Sequence, residues 1–258
     1  MRLAICHLYA SGMNVYGDRG NVTVLAQRCH WRGIDVRVEE RGVGESGRLT
    51  DYDLIVAGGG QDRDQVAVSQ DLQGPAGEEL RAAIEDGAVL LAICGTYQLL
   101  GRHFKTGSGA VLPGIGVLDA WTEAGPRRFI GDAVVETTLL DPEGRPITLV
   151  GFENHSGQTF LGPGCQPLGT ALVGAGNNGD DGREGAMYRN TFGTYLHGPL
   201  LPKNPAFADE MIRRAIVRRH GAEAASALAP LDDTLEATAH RRIVERIQRR
   251  GRVKSGAT

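Results

Sequence analysis

The sequence lacks any run of about 18 apolar residues, the length a membrane-spanning helix needs, so no span is expected. Near the N-terminus, residues 3–8 are too few for the apolar core of a secretory leader, and no small-residue cleavage site follows. Cysteine is scarce: Cys6, Cys29, Cys94 and Cys165 stand far apart, without a CxxC pair or metal-ligand spacing. In a chain this long, that pattern argues against a disulfide framework and for reduced thiols in the cytoplasm. No metal site is expected. An excess of either charge is missing too, and a formal net charge of −3 gives no reason to expect nucleic acid as a partner. Neither a GxGxxG nor a lysine-completed phosphate loop is present, and there is no internal repeat. These absences leave a soluble cytoplasmic protein, with an ordinary 41% hydrophobic and 23% charged content.

Glycine is plentiful, with 37 residues clustered at the ends of apolar runs, as the tight turns of an α/β fold require. Residues 2–9 read as a first strand. Asn21 is placed to cap a helix running to about Arg32, with Val22, Leu25, Ala26 and Cys29 on one face and Gly33 as the stop. Residues 34–38 and 54–57 read as strands, and residues 75–86 as a helix stopped by Gly87. This alternation predicts an α/β protein with an open, mostly parallel sheet and helices on both faces. Between Val111 and Thr138 the runs become shorter, β-branched and alternating, so an antiparallel edge is expected. Residues 205–220 read as a helix ended by Gly221. Residues 1–220 are expected to form one domain. Residues 221–258 are expected to form a basic helical extension, with one amphipathic helix around residues 235–248 and a frayed last dozen residues.

The chain is organised around residues 88–101. Six apolar residues, Ala88 to Ile93, read as a strand buried on both faces. Cys94 ends that run, and Gly95 opens a short helix closed by Gly101. A side chain at such a turn stands at the carboxyl edge of a parallel sheet, against a helix N-terminus. The free N–H groups and partial positive charge there stabilise a thiolate and an oxyanion. This is a nucleophile elbow with sulfur in place of oxygen. Three glycine-bearing loops, Gly58-Gly59-Gly60, Cys94-Gly95 and His197-Gly198, fall at strand carboxyl ends, where an open parallel sheet binds its ligands. The bare amides of the triple glycine suit an oxyanion hole better than a phosphate. A cysteine nucleophile also needs a base within reach. His7, His30, His103, His220 and His240 fall on expected strand or helix surfaces, which leaves His155 and His197. His197 is favoured, because the chain turns immediately after it at Gly198-Pro199.

Residues 94–101 (Cys-Gly-Thr-Tyr-Gln-Leu-Leu-Gly), 57–62 (Ala-Gly-Gly-Gly-Gln-Asp) and 195–199 (Tyr-Leu-His-Gly-Pro) together resemble the class I glutamine amidotransferases. They match the cobyric-acid-synthase-like branch, since the triad branch carries a glutamate two residues after its histidine, where this chain has Pro199. Residues 16–21 (Tyr-Gly-Asp-Arg-Gly-Asn) and 151–157 (Gly-Phe-Glu-Asn-His-Ser-Gly) are similar to the glutaminase subunits of lipid II isoglutaminyl synthases. Ala92 and Thr96 depart from the pattern at positions where relatives carry glycine.

The resemblance implies a flavodoxin-like fold and hydrolysis of L-glutamine, with Cys94 as nucleophile and His197 as proton carrier. Amides near Gly60 and Gly95 would hold the oxyanion. Arg128, or its neighbour Arg127, would grip the glutamine carboxylate, with Gln98 also at the substrate site. The resemblance implies no cofactor in this chain. It implies a heterodimer with a Mur-ligase-like subunit of the MurT type, which would use ATP and magnesium to amidate the D-glutamate of lipid II, and whose carboxylate would orient His197. Two alternatives remain at this stage: a glutaminase serving cobyrinic or cobyric acid amidation, or a flavodoxin-like cysteine hydrolase.

Overall fold

Residues 54–57 and 89–93 contain no polar side chain, so a strand made from either must be covered on both faces. The computed structural model, which describes residues 1–141 and 143–255, places them as β3 (Leu54–Ala57) and β4 (Val89–Ile93), with every residue buried. They lie at the centre of a six-stranded sheet. β1 (Arg2–Leu8) and β2 (Asp35–Arg41) continue it on one side, and β12 (Thr191–Thr194) and β11 (Ala186–Tyr188) on the other, in the order β11-β12-β4-β3-β1-β2. All neighbours pair in parallel except β11, an antiparallel edge strand; the antiparallel strands expected between Val111 and Thr138 lie instead in a second sheet. At the opposite edge, β2 carries a run of exposed charged side chains, which discourages edge-to-edge pairing with another chain.

Alternation along the strands divides the core. Leu3, Ile5, Leu54, Val56, Leu91 and Ile93 face α1 (Arg19–His30) and α5 (Pro205–His220). Ala4, Cys6, Ile55, Leu90 and Ala92 face the layer of α2 (Asp62–Leu72), α3 (Pro75–Glu85) and α4 (Gly95–Leu100). Most antiparallel strands form a sheet of their own. β7 (Ala120–Leu140) and β8 (Pro146–Leu161) make a long hairpin. It is extended by β5 (His103–Lys105) and β6 (Val111–Pro113), and by β9 (Gly169–Val173) and β10 (Arg183–Glu184). A backbone bridge between Phe152 and His197 ties this sheet to the first.

Two local expectations are corrected, and one helix is added. The α1 helix starts at Arg19 rather than after Asn21; the buried Asn21 instead accepts a hydrogen bond from the Leu201 N–H at 2.8 Å. His7, expected on a strand surface, is buried because β1 is covered on both faces. The α2 helix was not foreseen.

Beyond α5, a short α6 (Ala222–Ser226) leads to α7 (Thr234–Ser255), which is longer than the expected residues 235–248; residues 256–258 of the tail lie outside the described residues. The apolar face of α7, Ile243, Val244 and Ile247, packs on Val134, Val150 and Val173 of the hairpin sheet. The turn before α7 is fixed by Arg28. Its guanidinium, buried on α1, makes paired bonds of 2.7–2.8 Å to Asp209 and 2.7 Å to Asp233. No helix among the described residues is long and apolar enough to cross a membrane.

Candidate active site

Cys94 occupies the turn between β4 and α4 with φ 51° and ψ −104°, a backbone conformation that costs energy for a residue bearing a Cβ. The turn is pinned on both sides. Cys94 N–H donates to Thr194 O at 2.9 Å, and Cys94 O accepts from Gln98 N–H at 3.0 Å. Desolvation, joined by the charge of Asp18, pushes the thiol up to about 12, outweighing a bond from the Gly95 amide and the positive charge of Arg128. The residue keeps partial exposure, so a ligand can reach it.

The triple-glycine loop lies beside this turn. A Cβ added at Gly59 would sit 3.2 Å from Cys94 Cβ, 3.8 Å from Cys94 Sγ and 3.0 Å from His197 Cε1. Cys94 and the imidazole thus both stand against the open face of Gly59, in the space a side chain there would fill. The loop is held from three directions. Thr96 Oγ1 donates to Gly58 O at 2.7 Å, Gly59 N–H donates to Asp18 Oδ2 at 2.8 Å, and Val15 N–H donates to Gly59 O at 3.0 Å. The first of these accounts for Thr96: its hydroxyl couples the elbow helix to the glycine loop, which glycine could not do. Ala92 pairs with Ala57 and Gly193 inside the sheet, where a methyl fits.

His197 leaves the end of β12 and is fixed to β8, its N–H donating to Phe152 O at 2.8 Å and its carbonyl accepting from Phe152 N–H at 3.3 Å. Its ring is fully buried, and among the described residues neither nitrogen has a hydrogen-bond partner. Burial, with smaller contributions from His155 and Arg128, lowers it to about 4. Tyr16, 42% exposed, covers the imidazole with ring centroids 4.8 Å apart. His155 is placed differently. Its Nδ1 bonds Gly157 O at 2.7 Å, and its ring stacks on Tyr195 at 3.6 Å and 6°, which locks it in the hairpin sheet.

Between Ala124 and Phe129 the β7–β8 register breaks, and the bulge lifts residues 125–128 off the ladder. Arg128 leaves it toward the site. Its Nε donates to Asn154 Oδ1 at 2.6 Å, Asn154 in turn bonds the Tyr16 hydroxyl, and its charge bears on Cys94, His155 and His197. Arg127 turns away and lies over the Phe129 ring at 4.9 Å. Gln98 is buried one turn into α4, accepting from Gln65 Nε2 at 2.8 Å and donating to the Tyr195 hydroxyl at 3.1 Å, so its side chain is absorbed in supporting the elbow. A Cβ at Gly60 would meet Met13 and Gly12, not Cys94; the glycine facing the sulfur is Gly59.

Two buried carboxyls escaped the sequence reading. Asp18 is fully buried and raised to about 7 by desolvation, with Oδ1 unpartnered among the described residues. Glu184, also raised to about 7 by burial, accepts from Thr194 Oγ1 at 2.9 Å and Tyr195 N–H at 2.8 Å, at the root of the His197 turn. Both stand in glycine-rich polar stretches, where an acidic residue reads as a solvated turn.

Residues 4–205 match the CobB/CobQ-like glutamine amidotransferase domain. The chain is 41% identical over 217 residues to the lipid II isoglutaminyl synthase (glutamine-hydrolyzing) subunit GatD of Staphylococcus aureus, covering 84% of this chain and 86% of that one. It is 38% identical over 222 residues to the subunit of the same name from Streptococcus pneumoniae, covering 85% and 83%. In fold it resembles a glutamine amidotransferase of Thermotoga maritima, at 17% identity and a TM-score of 0.51 over 95% of this chain and 97% of that one. With a family match over most of its length and relatives above one-third identity, this chain belongs to the CobB/CobQ-like glutamine amidotransferases.

Proposed function

We propose that this chain is the glutaminase subunit of a lipid II isoglutaminyl synthase, working in the cytoplasm. The observation that carries the chemistry is the placement of the Cys94 sulfur and the His197 ring together against the open face of Gly59, with Cys94 at a strained strand-to-helix turn. The likeness to the two GatD subunits supports the acceptor.

In this reading the L-glutamine α-carboxylate pairs with the Arg128 guanidinium, which presents two parallel donors. The Cys94 thiol attacks the side-chain amide carbon while His197 takes its proton. The negative oxygen rests on the amides of Gly95 and Gly60. His197 then gives that proton to the leaving nitrogen, ammonia departs, and a γ-glutamyl thioester remains. Water, deprotonated by His197, attacks the thioester; glutamate leaves and the returned proton restores the thiol. The sum is glutamine plus water to glutamate plus ammonia.

Ammonia passes to a Mur-ligase-like partner of the MurT type, which uses ATP and magnesium to activate the D-glutamate α-carboxyl of the lipid II stem peptide. A carboxylate from that partner orients His197, whose ring nitrogens find no partner among the described residues. The test is to isolate the tagged chain from its native cells, identify what co-purifies, and assay ATP-driven amidation of lipid II. A Mur-ligase-like subunit in equal amount, with glutamine-dependent amidation lost in Cys94→Ala, is the expected result. A corrinoid-pathway ligase in its place, or glutamate release that survives Cys94→Ala, overturns the reading.

A further inference from the structure

Asp18 is a buried carboxyl whose Oδ2 accepts from Gly59 N–H and whose Oδ1 has no hydrogen-bond partner among the described residues. Such a group is expensive to keep, and packing alone does not call for it, since a neutral residue of the same shape would fill the space. The bond to Gly59 N–H falls at the residue against which Cys94 and His197 both stand. From the same loop, Val15 N–H holds Gly59 O at 3.0 Å. Both backbone polar groups of Gly59 are thus drawn onto residues 15–18. No peptide bond among the described residues is cis, and in a trans peptide the N–H points opposite to the carbonyl. With Gly59 O drawn onto Val15, Gly60 N–H is turned away from that loop.

We propose that Asp18 is a positioning residue for glutamine hydrolysis: its carboxylate holds the Gly58–Gly59 peptide through Gly59 N–H, and with Val15 holding Gly59 O on the next peptide the loop presents Gly60 N–H to the oxyanion. The inference rests on the glutaminase reading above and adds a part to it. Gly60 itself packs against Met13 and Gly12, so its amide is aimed from outside, by the pins on its neighbour. Asp18 precedes α1 and follows the turn that carries Tyr16 over His197. One short loop therefore controls both the oxyanion donor and the cover of the base.

The test compares glutamine turnover by the full-length chain with its co-purified partner in wild type, Asp18→Ala, Asp18→Asn and Cys94→Ala. In Asp18→Asn the amide oxygen can still accept from Gly59 N–H, whereas alanine cannot. The expected result is a kcat at least tenfold lower in Asp18→Ala with KM within about twofold of wild type, and recovery to within about threefold in Asp18→Asn. Both variants remove the same charge from beside Cys94, so alkylation of Cys94 by iodoacetamide should proceed alike in the two while turnover differs. If Asp18→Ala does not fold, Asp18→Ser, whose hydroxyl is too short to reach Gly59 N–H, carries the same comparison with the same outcomes. A kcat within twofold of wild type in the alanine or serine variant overturns the inference, as does an asparagine variant no better than alanine. Turnover that persists in Cys94→Ala overturns the glutaminase reading instead. If turnover depends on Cys94 but is indifferent to Asp18, only the present inference falls.

Discussion

Gly59→Ala probes the site at its narrowest point. The added methyl would lie 3.0 Å from His197 Cε1 and 3.2 Å from Cys94 Cβ, inside the roughly 3.5–4.0 Å that carbon atoms prefer. Gly59 does not adopt a left-handed backbone, so the substitution carries no conformational penalty and the effect is steric. Neither neighbour can easily give way. Cys94 is bonded on both sides of a strained turn, and His197 is bonded through both its N–H and its carbonyl to Phe152. Overpacking of this kind costs about 1–3 kcal/mol. At about 2–4 °C per kcal/mol for a chain of this size, Tm should fall by roughly 2–12 °C. Thiol and imidazole must part by a few tenths of an ångström. Since a misplacement of ~1 Å can cost about 100-fold, kcat should fall on the order of tenfold. Glutamate release, followed through coupled oxidation by glutamate dehydrogenase, reads this directly. The flanking glycines supply the contrast. Gly58→Ala places its methyl 2.5 Å from Asp18 Oδ2 and against the Met13 carbonyl, and should not fold. Gly60→Ala meets chiefly the flexible Met13 side chain, and should lose less activity than Gly59→Ala. A folded Gly59→Ala with wild-type kcat would refute the placement of Cys94 and His197 together against that residue.

Glu184 should make stability fall with rising pH. Its carboxyl is raised by burial from 4.5 to about 7, so its contribution is fully present below 4.5 and is lost as pH rises through 7. By pH 8.5 this amounts to about 3 kcal/mol. Glu184→Gln should therefore show a smaller drop in Tm than wild type between pH 5.5 and 8.5, and parallel pH curves would contradict the account. Arg28→Ala removes the cation shared by Asp209 and Asp233, leaving Asp209 its bond to Arg32 at 2.6 Å and Asp233 without its partner. Breaking such a pair costs about 3–5 kcal/mol when buried, and the 27% exposure of both carboxylates puts the expected loss near the lower end, measurable by urea unfolding. An unchanged midpoint would show that the clamp contributes nothing. Under the proposed division of labour, the chain separated from its partner should hydrolyse glutamine far more slowly than the complex; equal rates would remove the need for an acid supplied from outside.

What the sequence made legible follows from where hydrophobic pattern and backbone punctuation agree. The β3 and β4 strands are unbroken apolar runs ended by glycine, and α5 starts at Pro205 and stops at Gly221, so their bounds are nearly those expected. The α2 helix shows the opposite case. Its inward stripe is Gln65, Val68, Ser69 and Leu72, and half of that stripe is polar because Gln65 holds Gln98 and Ser69 bonds Pro113 O. A helix buried by polar contacts leaves no apolar period to read. The long β7–β8 hairpin was legible only in pieces. Gly125, Pro126 and Gly131 break its pattern, yet the pairing resumes beyond the bulge because the partner strand continues past it.

The site divides along the same line. The elbow and its two flanking loops are visible because glycine marks each strand end, and the topology brings strand ends together. That Gly59 rather than Gly60 turns its open face to the thiol, and that Arg128 rather than its neighbour Arg127 bears on the site, depend on rotations of a loop and a bulge that residue types alone do not encode. The electrostatics were invisible, because they come from burial. Desolvation drives the thiol up to about 12 and the imidazole down to about 4. Both shifts oppose moving the proton from the sulfur to the ring in the unliganded chain. A carboxylate against the imidazole shifts its proton affinity by about 1–3 pH units, and oxyanion donors act only once substrate is bound. In the proposed reading, a pair without both stays on the side of neutral thiol and neutral imidazole, from which hydrolysis is slow. In the proposed complex such a resting state couples hydrolysis to the presence of the subunit that consumes its product. Tyr16, the half-exposed cover of His197, stands where a docking partner would have to act to reach the base.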